Sequence, residues 1–153
     1  MEKIKRNVYE ALPEYTKFLK MCTVCERAGI SSPMLNQKLY KKKYHRFLQK
    51  DVDSLNAAID KIVNELKRQY IKYDLERDEI IKQLKGISEF IKMVYIVNSL
   101  GKTIRWYKVR IESVTGTRKG SCFSKDEIDS INLELLKIVS ELERTELVLV
   151  SEE

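Results

Sequence analysis

The sequence is poor in the residues that bend a chain, with five glycines and two prolines in 153 residues. That scarcity excludes collagen-like, linker-like and low-complexity classes. It also disfavours a large all-β fold, which needs many tight turns. No apolar run approaches the ~20 residues of a membrane helix, and Met1 to Asn7 is charged where a secretory signal would be apolar. Three cysteines without such a signal suggest free thiols in a reducing compartment. No P-loop and no Rossmann glycine pattern occurs. Cys22 and Cys25 form a C-x-x-C that His45 and Cys122 could in principle complete into a zinc site. On one face of an amphipathic helix, however, the two cysteines read as small hydrophobes. His45 has no nucleophile placed beside it by motif. These absences predict a cytoplasmic chain with no membrane contact, no catalytic residue, no metal and no cofactor.

What is present is apolar residues (43%) beside a high charged fraction (34%), the balance of a surface-rich helical protein with a real core. The net charge of +6 is unevenly spread. Residues 36–50 hold six basic side chains and no acid, residues 102–125 hold seven against Glu112 alone, and residues 126–153 are predominantly acidic. Locally basic surface on a modestly basic chain is the electrostatic footprint of a polyanion binder.

The chain repeats itself. Phe18-Leu19-Lys20-Met21 answers Phe90-Ile91-Lys92-Met93 at an offset of 72, and Gly29 answers Gly101. Further on, at an offset of 76, Phe47 answers Phe123 and the segment Val52 to Leu66 answers Ile128 to Leu142. Asp53/Asp129, Ser54/Ser130, Asn56/Asn132, Lys61/Lys137 and Glu65/Glu141 are identical across that match. Shared helical patterning repeats apolar positions but not these polar ones. The sequence therefore predicts two units, residues 1–72 and 73–153, with extra residues between Ile111 and Phe123 in the second.

Helical spacing runs from Pro13 through Tyr15, Phe18, Leu19, Cys22 and Cys25 to Gly29, which suits a C-cap. Ser31 or Ser32 would cap a second helix, and a long helix follows from about Lys50 to Gln69. In the second unit one helix is expected from about Leu75 to Leu100, then a Thr103-capped helix, and then a β-hairpin over Arg110 to Ser124. Ser124 and Glu127 form a capping box for the last long helix. Gly86 is the only strong breaker between the units, which predicts a stiff helical link.

The stretch Val24 to Leu39 resembles the helix-turn-helix of phage repressor and Cro-like regulators. A small residue at Cys25 allows close approach, Gly29 takes the left-handed turn position, and Ile30 and Leu35 pack the second helix on the first. The second copy, Ile96 to Ile111, departs from the pattern at Val97, Lys102 and Tyr107. The resemblance implies a predominantly all-α protein of two helix-turn-helix units, the second with a β-hairpin wing. It places Ser32, Asn36 and Gln37 on the base-facing side of the first recognition helix, where Asn and Gln amides can pair in two places with adenine. It assigns Lys38, Lys41, Lys42, Lys43 and Arg46 to backbone phosphates. In the second unit, Arg105 and Lys108 would meet bases, and Arg110, Arg118 and Lys119 would meet phosphates.

The function expected on this reading is sequence-specific binding of duplex DNA by a transcriptional regulator of phage or mobile-element type, not an enzyme. The alternative is a phage structural, packaging or adaptor protein, small-terminase-like or a protein-binding helical repeat. The long helices would also suit a homo-oligomer.

Overall fold

Apolar residues recur at three- and four-residue spacing through most of the chain, and the helices form on those stripes. The computed structural model describes residues 2–40, 46–69, 71–72, 77–112 and 123–150. In chain order these form β1 (Ile4–Asn7), α1 (Val8–Tyr15), α2 (Met21–Ala28), α3 (Ser32–Tyr40) and α4 (Gln49–Leu66). Then come α5 (Arg77–Ser88), α6 (Met93–Ser99), α7 (Ile104–Glu112), α8 (Lys125–Arg144) and β2 (Thr145–Val148). The protein is predominantly helical, with a small sheet joining its two ends. No helix among the described residues is long and apolar enough to cross a membrane.

The helix order repeats. Helices α1 to α4 recur as α5 to α8, and α3 and α7 coincide end for end at the offset of 72. The two sets share one continuous core and meet through reciprocal contacts. Leu19 and Ile91, an equivalent pair, form an isolated antiparallel bridge. Across it the Lys20 amide donates to the Phe90 carbonyl (2.8 Å) and the Lys92 amide donates to the Phe18 carbonyl (2.7 Å). Helices α4 and α8 pack against each other.

The tails are exchanged. The Asn132 amide on α8 both donates to the Ile71 carbonyl (2.8 Å) and accepts from the Ile71 amide (3.0 Å). Asn56 on α4 does the same to Leu147, at 2.9 Å each way. Ile71 and Leu147 are themselves equivalent at the offset of 76, so each repeat's asparagine holds the other repeat's tail. That pattern describes an approximate two-fold relation. Buried backbone groups need partners, and here two identical side chains supply them.

Several expectations change. The single helix expected up to Gly29 is two, α1 and α2, and the one expected from Leu75 to Leu100 is likewise α5 and α6. In each case the break falls where the chain extends to form the Leu19–Ile91 bridge, and no glycine or proline marks it. Pro13, from which the helical spacing was expected to run, lies late in α1, which already begins at Val8. The expected helical link is absent among the described residues, since 67–69 and 71–72 carry no helix. Gly86 lies inside α5, where a side chain would come within 3.2 Å of the Gln69 carboxamide oxygen. The parallel pairing of β1 with β2, Ile4 opposite Thr145, was not legible in the charged Ile4–Asn7 segment. Of the hairpin expected over Arg110 to Ser124, residues 110–112 belong instead to α7, whose helical hydrogen bonding runs on through them, and residues 113–122 lie outside the described residues.

Candidate nucleic-acid interface

Each repeat carries a helix, a tight turn and a second helix. Gly29 follows α2 with φ 74° and Gly101 follows α6 with φ 75°, the left-handed conformation that glycine adopts without a Cβ penalty. The same six-to-one bond closes both turns, from the Ile30 amide to the Cys25 carbonyl (3.0 Å) and from the Lys102 amide to the Val97 carbonyl (3.1 Å). The second helices are capped alike. Ser31 Oγ accepts from the Met34 amide (3.2 Å), and Thr103 Oγ1 accepts from the Trp106 amide (3.1 Å).

The inner faces fix how these helices sit. Cys25, Leu35 and Leu39 are buried in the first repeat, and Val97 and Tyr107 in the second. Lys102 stands where an aliphatic residue was expected, and its ammonium lies 5.6 Å from the Trp106 ring centre. Trp106 is half-buried and meets Phe123 edge-on at 5.6 Å, so it serves packing.

An ion pair ties each second helix to the head of the following long helix. Lys38 Nζ lies 2.7 Å from Asp51 Oδ2, with only 14% and 11% of the two side chains exposed. The same oxygen accepts from the Leu48 amide (2.8 Å), which caps α4. The counterpart is Arg110 Nη1 to Glu127 Oε1, 3.3 Å, where that oxygen also accepts from the Ser124 amide (2.8 Å). Lys38 is equivalent to Arg110, and Asp51 to Glu127. Burial raises the Asp51 carboxyl, but the hydrogen bonds from Lys38 and Leu48 and the charges of Lys38 and Lys50 outweigh it and hold the group below its ordinary value.

This geometry redistributes the expected site. Lys38 and Arg110, assigned by resemblance to phosphates, are committed to carboxylates, and Arg110 also lies over the Trp106 ring at 4.5 Å. Ser32 is exposed, and its hydroxyl partly offsets the burial that pushes the Cys25 thiol up. Asn36, Arg46, Arg105 and Lys108 are exposed and Gln37 is half-buried. Lys41, Lys42, Lys43, Arg118 and Lys119 lie outside the described residues, as do His45 and Cys122. Cys25 is buried as expected, but Cys22 is exposed, because Val24 and Cys25 are the residues that α2 turns to the core. No group of residues suited to a metal occurs among those described.

Two features went unread in the sequence. Val109, equivalent to Gln37, stands 59% exposed on α7. Lys20 and Lys85 line a groove with Lys108. The identity of Lys20 with Lys92 across the repeat was the available signal, but it was read only as part of the duplication. Comparison with family models, with curated proteins and with solved structures finds no match to this chain.

Proposed function

We propose that this chain binds duplex DNA sequence-specifically through α3 and α7, acting in the cytoplasm as a transcriptional regulator of phage or mobile-element type. On this reading it works by binding and not by catalysis. The observation that carries the reading is that two second helices are anchored in the same way but differ in their outward residues. Asn36 and Gln37 are offered by α3, and Arg105 and Lys108 by α7. Amides suit adenine and basic side chains suit guanine, so the preferred site is asymmetric. Arg46 and the Lys41–Lys43 run supply charge for phosphates.

A salt titration of binding to duplex DNA, followed by fluorescence anisotropy, tests this. With about four phosphates neutralised, log K should fall against log salt with a slope of roughly −3.6. No binding to any duplex at ~50 mM salt overturns the proposal.

A second reading rests on α8. Leu133 and Leu136 are 54% and 60% exposed, where the first repeat has Ala57 and Asp60. That face favours homo-oligomerisation or an adaptor or packaging role. Sedimentation of the wild type beside Leu136→Asp decides it. A dimer lost in the variant supports self-association through this face, and a monomer in both removes it.

A further inference from the structure

A groove of about 430 Å³ opens between the end of α5, the start of α6 and one side of α7. We propose that it binds a small anionic amphiphile, a carboxylate or phosphate head carried on an apolar body. Its walls are mainly apolar, with Met93, Ile104 and Ile111 among them. Lysines from three different places reach its rim: Lys20 from the first repeat, Lys85 from α5 and Lys108 from α7. None of the three has an ion-pair partner among the described residues. A fourth, Lys92, donates its ammonium to the Thr16 carbonyl. Among the described residues the only acid on the lining is Glu112, so positive charge is in excess there.

Tyr107 supplies an independent pointer. It lines the groove with 8% of its surface exposed, and its hydroxyl makes no hydrogen bond to another described residue. Burial pushes its pKa up to about 12, so the hydroxyl stays a proton donor at neutral pH. On the groove wall, that hydroxyl is available to donate to an anionic head.

These features are not consequences of the shared fold. In the first repeat the residues equivalent to Lys85, Tyr107 and Lys108 are Pro13, Leu35 and Asn36. Pockets of this size that are mainly apolar, with a few convergent polar groups, suit small molecules. The charge selects an anion, and the apolar walls select a ligand with a hydrocarbon or aromatic body.

Calorimetry on the full chain, without DNA, tests the assignment independently of the DNA reading. The probes are decanoate, decyl phosphate and decyltrimethylammonium, each below its micelle concentration. Saturable one-to-one binding of an anion is expected, and the tighter of the two identifies the head group. Lys85→Gln with Lys108→Gln should weaken it at least tenfold, and Tyr107→Phe about threefold. Lys72→Gln with Lys82→Gln, outside the groove, should leave it unchanged. Circular dichroism checks that each variant is folded. Absence of saturable binding by both anions, equal binding of the cation, or indifference to the Lys85/Lys108 pair overturns the proposal.

Discussion

At the scale of single residues, Asn56 and Asn132 hold the two halves together by the same chemistry used twice. Each amide satisfies both backbone groups of one residue in the opposite repeat's tail. Asn132 is the more buried of the two, so Asn132→Ala leaves the amide and carbonyl of Ile71 without partners or water. The expected cost is about 2–3 kcal/mol. Asn56→Ala should cost about 1 kcal/mol, since water can reach the half-buried site. Urea denaturation of both variants measures this, and equal losses would contradict the burial argument. The Lys38–Asp51 pair has a pH signature. The folded Asp51 pKa lies below its unfolded value, so its contribution to stability is complete above the ordinary carboxylate range. It is lost as pH falls through the depressed folded value. Lys38→Met should therefore cost about 2 kcal/mol near pH 7, between the values for exposed and buried pairs. The gap from wild type should narrow as pH falls toward 3. A gap independent of pH over that range would remove the pair as its cause.

At the scale of elements, the second helices, their caps and their turn glycines were legible because each depends on local chemistry. Ser31, Thr103 and Ser124 cap where a short polar side chain meets an apolar run, and Gly29 and Gly101 sit where backbone sterics leave few alternatives. The breaks at Leu19 and Ile91 were not legible. The apolar spacing runs straight through them, and the cause is a hydrogen-bonded partner 72 residues away. The roles of Lys38 and Arg110 were hidden for the same reason. A lysine in a basic cluster looks like a phosphate ligand until the acid beside it is known, and Asp51 lies 13 residues along the chain. Both turn glycines have open space around the missing Cβ, so substitution costs backbone strain alone. Gly29→Ala and Gly101→Ala should each destabilise by about 1–2 kcal/mol, with Asn recovering part of the loss. Thermal denaturation of the four variants checks this. A neutral alanine at either site would mean that the turn relaxes out of the left-handed region.

At the scale of the whole molecule, the duplication produces one body and not two beads on a linker. The core is continuous, the tails are exchanged, and β1 pairs with β2 to join the two ends. The relative position of α3 and α7 is then set by packed elements, not by a linker. Unfolding followed by Trp106 fluorescence and by far-ultraviolet circular dichroism should give one coincident transition, although Trp106 reports only the second repeat. Two separated transitions would mean that the halves are independent. The claim with most at stake is that both recognition helices engage one duplex, as the halves of a dimer do, about one DNA turn apart, roughly 34 Å. Hydroxyl-radical footprinting on a selected site tests it most directly. The account predicts a protected region of about 20 base pairs, asymmetric between its halves, which shrinks by half in the Arg105→Ala, Lys108→Ala variant. A footprint of about 10 base pairs that is indifferent to those two substitutions would contradict it.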